Sequence, residues 1–467
     1  MKIITDTIYK YSPIFVQNFM VSAFGLIWHN LRYGGSFKSY LKEVKSREYY
    51  TKEQWEVYQT ALLRKLLVHA MEHVPFYRTK YKTAGISIQE LRDFTLQDLR
   101  NLPFLEKEEL RQFGTSTLLS EKKGRGIFTS SSGSTGTPVK IFLPSNFHQY
   151  WYALTESRMR NWAGLTYKTP RGMIGGRRIV PSAELTPPFY RYNPVEKQTY
   201  FSAYHITPET AANYVEGIIR HKVEYMTGYA VSNYMLARFI EEQNLAVPAM
   251  KAVITSSEKL TTEMRTTLER VYRCPVFDSY SGSEFCGLIS ESPERKLLFS
   301  PDSGIMELIS NNGSYTKPGE TGEIVATGLY NFDQPLIRYR IGDVVTLSAD
   351  QSPVGGRHMP VIVEISGRIE DAVIGKDGRA MVRFHSLYVE IPGLKAAQLI
   401  QHSYERFTIR LLIEKNRFNI IEAEHTIIKR LISQLGEVKV QFEYPDSLPL
   451  TKNGKLKAVI SEIKSLI

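Results

Sequence analysis

Residues 251–284, KAVITSSEKLTTEMRTTLERVYRCPVFDSYSGSE, contain a complete strand–helix–strand pattern. Apolar runs predict strands over 251–255 and 275–279, and the amphipathic segment between them predicts a helix over 261–273. Two strands that are joined through a helix normally run parallel in one sheet. This stretch therefore predicts an α/β domain with a largely parallel sheet.

The same alternation extends toward the N-terminus, with helices predicted over 208–221 and 231–243 and a strand over 223–227. Residues 304–347 show mainly strand patterns. Between 48 and 115, by contrast, apolar residues recur at helical spacing. The fold class predicted for the large N-terminal part is therefore α/β, with parallel-type sheets and helices.

A domain boundary is predicted near 366–372, where the polar segment SGRIEDA precedes a new set of elements. The elements that follow predict a small α+β domain: a helix over 381–390, strands over 396–402 and 407–414, a helix over 419–435 and a strand over 438–444. A chain of 467 residues is too long for one ordinary core. We expect a helical region packed on the main domain, an α/β core and a small C-terminal domain, at 1–115, 116–368 and 369–467.

The composition is that of a globular protein, with 42% hydrophobic and 23% charged residues. The net charge of +11 is spread along the chain, and no RNA-binding motif, zinc-finger spacing or long basic block occurs. We therefore predict no nucleic-acid partner. The two cysteines, Cys274 and Cys286, exclude a disulfide scaffold and favour a cytoplasmic, reducing location. We interpret both as buried structural thiols.

Residues 11–31 contain no charged side chain and are flanked by Lys10 and Arg32. Their strongly apolar part, residues 19–28, is too short to span a bilayer, and no signal-peptide cleavage site follows. Two interpretations stay open, a helix docked on the main domain and an interfacial helix in peripheral contact with the membrane. The seven basic and three acidic residues among 1–50 favour anionic lipid in the second case.

Residues 129–140, TSSSGSTGTPVK, form a loop rich in glycine and hydroxyl groups. Such a loop cannot form a core, but its backbone N–H groups and hydroxyls can surround an anion. Lys140 adds a positive charge that suits phosphate. The spacing of Gly133 and Gly136 does not match a Walker loop, which disfavours a P-loop phosphotransferase. We predict a nucleoside triphosphate site here; a flexible linker is the alternative interpretation of the loop alone.

Five further motifs follow this loop in a fixed order: TSSEKL at 255–260, YSGSE at 280–284, PLIRYRIGD at 335–343, GRIED at 367–371 and KNGK at 452–455. Each is weak alone, since a pattern such as Tyr-x-x-x-Glu also arises by chance. Together they resemble the adenylate-forming superfamily of acyl- and aryl-CoA synthetases. Within it, the chain is most similar to the phenylacetate–CoA ligase group, including relatives from capsule and exopolysaccharide clusters.

The resemblance implies an AMP-forming ligase that uses ATP and Mg²⁺ to convert a carboxylic acid to an acyl-adenylate. The acyl group would then pass to coenzyme A or to an amine acceptor, with a role in surface polysaccharide biosynthesis. It also implies that the C-terminal domain is a mobile lid, which swings about a hinge at Glu370 and Asp371. The alternative is a non-catalytic scaffold or binding protein of the same fold, which the retained Glu284, Asp343 and Lys455 oppose.

The resemblance assigns roles to individual residues. The β- and γ-phosphates of ATP would be bound by Thr129, Ser130, Ser131, Ser132, Gly133, Ser134, Thr135, Gly136, Thr137 and Lys140. The nucleoside would be bound by Ser256, Ser257 and Glu258 along the adenine edge, Tyr280 on its face, Asp343 at the ribose hydroxyls and Arg368 at the ribose or phosphate. The catalytic residues would be Ser283 at the α-phosphate, Glu284 on Mg²⁺ and Lys455 between the substrate carboxylate and the α-phosphate.

Two residues depart from the family pattern. Ser281 stands where glycine is usual, so its backbone must be open to other residues. Ile341 stands where threonine is common and removes a hydroxyl beside Asp343. The acid pocket is not evident from sequence. Aromatic residues concentrated in 200–235 suit a pocket for an aryl or compact apolar acid, with ordinary core packing as the alternative; they are Tyr200, Phe201, Tyr204, His205, Tyr229 and Tyr234.

Overall fold

A twelve-stranded mixed sheet forms the centre of the large domain in the computed structural model of this chain. Helices cover it, and a separate four-stranded sheet forms the centre of the C-terminal domain. The predicted fold class, α/β with a small additional C-terminal domain, is confirmed. The structure describes residues 8–130, 139–181, 184, 186–310, 313–366, 373–376, 380–381, 387–388, 391–414, 416–449 and 458–463.

The N-terminal region is helical, which confirms the prediction for residues 48–115. Its elements are α1 (Ile14–Tyr33), α2 (Phe37–Ser46), α3 (Lys52–His73), α4 (Pro75–Thr83), α5 (Ile88–Asp93), a 3₁₀ turn (Gln97–Asn101) and α6 (Lys107–Phe113). A capping box formed by Thr51 and Gln54 begins α3. Pro75 occupies the first turn of α4. Backbone N–H groups in a first turn have no acceptor within the helix, so the absence of an N–H in proline costs no hydrogen bond there.

Helix α1 docks on the main domain, as the first interpretation of residues 11–31 predicts. Its Arg32 forms an ion pair with Glu196 at 3.4 Å, and the carbonyl of Leu31 lies 3.1 Å from Nδ1 of His148. None of the helices within the described residues is long and apolar enough to span a bilayer.

A hairpin of β1 (Gly126–Ser130) and β2 (Lys140–Pro144) follows the N-terminal helices. Helix α7 (Ser145–Thr155) comes next and continues into a π-helical turn at Glu156–Arg160. This turn positions the buried Arg158 against the N-terminal helices, where its guanidinium donates to the carbonyl oxygen of Val44 at 2.9 Å.

One half of the large sheet is parallel, apart from its edge strand β4. Its strands and helices, in chain order, are β3 (Arg171–Gly175), β4 (Tyr190–Asn193), β5 (Gln198–Ser202), α8 (Ala211–Arg220), β6 (Tyr225–Tyr229), α9 (Ala230–Glu242), β7 (Ala252–Ser256), α10 (Thr262–Tyr272) and β8 (Val276–Ser281). The strand order is β4-β5-β3-β6-β7-β8. The helices and strands predicted between 208 and 279 are confirmed, with ends displaced by up to three residues.

The other half of the sheet is antiparallel and begins where β9 pairs with β8. Its strands are β9 (Leu288–Glu291), β10 (Leu297–Phe299), β11 (Ile305–Ile309), β12 (Thr321–Thr327), β13 (Tyr339–Leu347) and β14 (Val361–Ser366). The order continues from β8 as β9-β10-β14-β13-β12-β11. The predicted strand character of 304–347 is therefore confirmed.

The C-terminal domain has its own core around Leu399, Ile409 and Leu431. Its elements are β15 (Val373–Ile374), β16 (Ala380–Met381), β17 (Leu394–Gln401), β18 (Arg406–Ile413), α11 (Ile420–Leu435), β19 (Lys439–Glu443) and β20 (Val459–Ser461). The helix predicted over 381–390 is wrong at its start, because Met381 pairs with Val373 in a two-stranded ladder. The other predicted elements of this domain are confirmed.

A buried ionic cluster joins the N-terminal helices to the sheet domain. Asp302 and Arg158 are both fully buried, and their side chains approach to 3.3 Å. Arg158 also lies 3.2 Å from Glu48, and Arg47 lies 3.8 Å from Asp302. Because charges this deep in the protein are stable only when they are paired, the cluster specifies how the two regions fit together.

Replacing Asp302 by alanine is expected to destabilise the protein by about 3–5 kcal/mol, because it leaves the charge of Arg158 buried without this carboxylate. The measurement is denaturant-induced unfolding of the full chain. The control is Glu241→Ala, which removes an exposed ion pair with Arg270 and is expected to have little effect. Equal stability of the two variants would contradict a structural role for the cluster.

Candidate active site

The β1–β2 hairpin holds the two ends of the glycine- and hydroxyl-rich loop together. Ser130 pairs directly with Lys140, and Thr129 pairs with Ile141. Gln334, which is fully buried, anchors the hairpin by accepting from the N–H of Phe142 at 2.7 Å. The remaining predicted phosphate-binding residues lie outside the described residues: Ser131, Ser132, Gly133, Ser134, Thr135, Gly136 and Thr137.

The predicted adenine-edge segment follows β7 directly. Ser256 is the last residue of that strand, and Ser257 is exposed with a φ of 71°, a conformation that is uncommon for a residue with a side chain. Glu258 accepts a hydrogen bond at 2.9 Å from the N–H of Val231, at the start of α9. A carboxylate at a helix N-terminus is stabilised by the helix dipole. Glu258 therefore anchors this segment, while the two serines remain available at the edge of the sheet.

The end of β8 meets β13 through Tyr280 and Asp343. The hydroxyl of Tyr280 donates to Oδ2 of Asp343 at 2.7 Å. Burial, followed by the negative charge of Asp343, raises the pKa of Tyr280 well above its ordinary value. The phenol consequently stays protonated and acts as a donor at physiological pH. This contact brings the predicted adenine-stacking and ribose-binding residues together, although they are far apart in sequence.

The loop after β8 holds Glu284, whose side chain is buried. Its carboxylate lies 3.3 Å from both the hydroxyl of Ser283 and that of Tyr339. A Cβ atom at Gly282 would lie 2.8 Å from Oε2 of Glu284, so glycine leaves the space that this carboxylate needs. Among the described residues, no Lys, Arg or His side chain forms an ion pair with Glu284.

This arrangement fits a magnesium ion that is shared with phosphate groups. Mg²⁺ is usually held by one or two carboxylates together with substrate phosphates rather than by a cage of protein ligands. A buried carboxylate with two hydroxyl neighbours, and with no ion pair within the described part of the chain, supplies such a ligand. No group of three or more His, Cys, Asp and Glu with metal-binding geometry is present in the described ranges. The donor set is therefore compatible with the metal that the resemblance implies.

A second carboxyl group lies beneath this edge of the sheet. Asp278, in β8, accepts from the hydroxyl of Thr255 at 2.9 Å and from the N–H of Ser279 at 2.9 Å. Burial outweighs these hydrogen bonds and raises its pKa to about 6. Ser279 in turn donates to the carbonyl of Thr255 at 2.9 Å. These contacts align the ends of β7 and β8, from which the predicted nucleoside-binding segments emerge.

The two departures from the family pattern fit the fold. Ser281 has no positive φ and is paired with Leu288, so the serine is accommodated without strain. Ile341 is buried in the apolar core beside the antiparallel strands. Arg368 and Lys455, as well as the hinge residues Glu370 and Asp371, lie outside the described residues. Their roles stay predictions.

The aromatic residues of 200–235 divide into two groups. Tyr200, Phe201 and Tyr234 belong to the main hydrophobic core, so the core-packing interpretation holds for these three. His205 is buried and stacks on a phenylalanine, and its Nδ1 lies 2.7 Å from the hydroxyl of Ser202. Tyr204 is buried as well. Tyr229, at the end of β6, is half-buried and is the most accessible of the six.

Two residues that sequence reasoning left without a role support this site. Tyr339 touches Glu284, and Gln334 anchors the loop hairpin. Both lie in or beside the PLIRYRIGD segment. The signal for Tyr339 is its position four residues before Asp343, because residues two or four apart in a strand share a face. The sequence contains no comparable signal for Gln334, whose side chain forms its hydrogen bonds with distant backbone at Gly114, Lys140 and Phe142.

The chain is similar to known proteins over most of its length. Residues 373–462 match the family described as CapK C-terminal domain. The chain is 27% identical to the protein CapK of Staphylococcus aureus, across 98% of this chain and 99% of that protein. It is 26% identical to the phenylacetate–coenzyme A ligase of Escherichia coli strain K12, across 69% of this chain and 73% of that enzyme.

A solved structure with a similar fold is that of 2-hydroxyisobutyryl-CoA ligase in complex with 2-HIB-AMP and CoA. Its TM-score is 0.57 at 19% sequence identity, covering 89% of this chain and 91% of that one. At this level of identity the likeness establishes a shared fold.

Replacing Tyr280 by phenylalanine is expected to weaken ATP binding about fivefold, because a hydrogen bond that orients Asp343 is worth about 1 kcal/mol. Binding is measured by calorimetry with ATP and Mg²⁺. The matched control is Tyr272→Phe, whose buried hydroxyl has no hydrogen-bond partner among the described residues. Unchanged affinity in the Tyr280 variant would contradict the placement of the nucleoside between Tyr280 and Asp343.

Replacing Asp278 by asparagine is expected to change the pH dependence of stability. The pKa of Asp278 in the folded protein is about 6, against an ordinary value of 3.8, so the folded state binds this proton more tightly. Its contribution to the free energy of unfolding is therefore present at low pH and is lost as the pH rises through this window. Asparagine does not titrate, so the variant should not lose this stability as the pH rises. The melting temperature of the variant minus that of wild type should therefore increase from pH 4 to 7.

The control for this experiment is Asp98→Asn. Asp98 is a half-buried carboxyl whose pKa is lowered by hydrogen bonds from Thr95, so it is already ionised between pH 5 and 7. Its melting temperature relative to wild type should stay constant from pH 5 to 7. An Asp278 variant whose profile runs parallel to that of wild type would contradict the raised pKa.

Proposed function

We propose that the chain is an AMP-forming ligase of the adenylate-forming superfamily, which activates a carboxylic acid with ATP. The single observation that carries the proposal is the meeting of β8 and β13. Tyr280 donates to Asp343, and next to them the buried Glu284 accepts from Ser283 and Tyr339. An adenine platform, a ribose acceptor and a metal ligand thus lie at one edge of the sheet.

In the proposed reaction, an oxygen of the substrate carboxylate attacks the α-phosphorus of ATP, and the bond to pyrophosphate breaks. The acyl group of the resulting adenylate is then transferred to an acceptor, and AMP leaves. Bound Mg²⁺ supplies charge stabilisation for the phosphates. The chain itself binds and orients the nucleotide through Tyr280, Asp343 and the hairpin loop, and Lys455 stabilises the charge that develops at the α-phosphate.

We propose coenzyme A as the acceptor, which the names of the relatives support. The amine of a sugar or an amino acid is the second candidate, and it would connect the reaction to surface polysaccharide biosynthesis. The resemblance to the capsule-cluster members of the family supports that role. Because both ATP and coenzyme A are cytoplasmic substrates, we place the reaction in the cytoplasm.

We propose that the acid binds at the carboxyl edge of the sheet between β3 and β6. Strand β3 lies between β5 and β6, so the strand order reverses there, and ligands of open α/β sheets bind at such points. Gly228 keeps this gap narrow, because a Cβ atom there would lie 1.9 Å from the carbonyl oxygen of Ile174. The half-buried Tyr229 follows at the mouth of the gap and offers a ring to a compact apolar acid.

Product analysis tests the reaction type. With ATP, Mg²⁺, an acid and coenzyme A, the proposal requires AMP, pyrophosphate and a thioester in equal amounts. ADP and phosphate would instead indicate a phosphotransferase. ATP binding without acid-dependent turnover for any member of a broad acid panel would favour the non-catalytic scaffold and contradict the proposal.

Replacing Lys455 by alanine is expected to reduce adenylate formation by at least about 100-fold, because this lysine stabilises charge in the first transition state only. Thioester formation from a chemically prepared acyl-adenylate should change by less than about threefold. The control is Lys395→Ala, a lysine of the same domain in β17. An equal loss of both half-reactions in the Lys455 variant would contradict the proposed division of labour.

A further inference from the structure

Helix α1 is docked through its polar side. Nε of Arg191 donates to Oε1 of Gln17 at 2.6 Å, and Asn18 accepts from the N–H of Tyr192 at 3.0 Å. The helix approaches the edge strand so closely that a Cβ atom at Gly25 would lie 2.1 Å from Nδ2 of Asn193. The groups that a surface helix normally presents to water are therefore used to hold α1 on the protein.

The opposite side of α1 and the residues just before it are apolar and exposed. Tyr11, Phe15 and Phe19 are 75%, 74% and 72% exposed, and Leu26 and Ile27 are 51% and 60% exposed. Phe15, Phe19 and Leu26 are separated by four and seven residues, which is the spacing of one helix face, and Tyr11 lies just before the helix begins. Large exposed apolar residues of the described chain are concentrated here, since eight of the nineteen lie between residues 8 and 27.

Basic side chains border this apolar face, and no charged residue lies between 11 and 31. Lys10 is exposed at the start of the face. Arg177, also exposed, places its guanidinium 5.6 Å from the ring centre of Phe24 and 5.8 Å from that of Trp28. Arg178 beside it is exposed as well. An apolar strip with a positive border is complementary to an apolar layer that is covered by anionic groups.

We propose that α1 is an interfacial helix that lies in the plane of an anionic lipid leaflet and attaches the enzyme to it. Aromatic and aliphatic side chains on one face, with basic residues at the rim, are the features of such helices. At about 1.5 Å per residue, the twenty residues of α1 extend about 30 Å along the leaflet surface. The helix lies on the bilayer and does not cross it.

The charges favour lipid over a second copy of the chain. A symmetric dimer through this face would place the same surface patch on both sides of the interface, and so would bring Lys10, Arg177 and Arg178 of each copy toward like charges. An anionic leaflet offers opposite charge to the same residues. Attachment requires neither ATP nor an acid, so it is independent of the proposed reaction.

The test is co-sedimentation of the full chain with vesicles of phosphatidylcholine containing about 30% phosphatidylglycerol. Wild type is expected to bind these vesicles. The double variant Phe15→Ser/Phe19→Ser should lower the partition coefficient by about tenfold or more, because two exposed rings are lost from the buried face. The matched control is Val57→Ser/Ile421→Ser, which removes two apolar side chains of similar exposure, 71% and 83%, from other surfaces.

The electrostatic part of the proposal is tested separately. Lys10→Glu/Arg177→Glu should weaken binding to the anionic vesicles, and vesicles of phosphatidylcholine alone should bind wild type more weakly. ATP affinity and melting temperature should be unchanged in all variants, because none of the substituted residues touches the nucleotide site. Equal binding by wild type and Phe15→Ser/Phe19→Ser, or no binding of wild type, would overturn the proposal. A wild-type dimer in solution that this variant dissociates, without vesicle binding, would overturn it in favour of a self-association surface.

Discussion

The reversal of chain direction between β8 and β9 is the constraint on which the site depends. The parallel half of the sheet ends at β8, and Ser281 then pairs antiparallel with Leu288, so the intervening residues form a tight loop at the carboxyl edge. Within it, the N–H of Phe285 donates to the carbonyl of Gly282 at 3.1 Å, and Phe285 adopts a φ of 56°. This loop is what directs the Glu284 carboxylate inward.

The same reversal brings the rest of the site into place. Strands β9, β10 and β14 lie between β8 and β13 in the strand order, and Asp343 of β13 nevertheless meets Tyr280 while Tyr339 meets Glu284. The antiparallel half therefore curves back toward the end of β8. The groups proposed to bind the nucleoside and the metal therefore come from two halves of one sheet. A sheet that is continuous across the site holds these groups in fixed positions, and such preorganisation is what stabilises developing charge effectively.

Much of this could be predicted from sequence, because the signals are local. Helical and strand periodicity located the βαβ units, and the glycine-, hydroxyl- and acid-containing motifs located the candidate site. The failures are pairings between segments, which the periodicity of one segment does not specify. Met381 is apolar in a helix-like run but pairs with Val373 across a short ladder. The contact of Arg158 with Asp302 joins residues 144 apart, and no periodicity reports such a pair. For α1, which is apolar on most sides, the pattern gave no indication of which face would be covered.

Acid-dependent exchange of labelled pyrophosphate into ATP, measured with Mg²⁺ across a panel of aryl, aliphatic, amino and sugar acids, tests the central claim most directly. It reports reversible adenylate formation and needs no acceptor, so it does not depend on whether coenzyme A or an amine is used. The account predicts exchange that requires one class of acid and is lost in the Glu284→Ala variant. Exchange that is absent with every acid while ATP still binds, or that persists in full without Glu284, would contradict it.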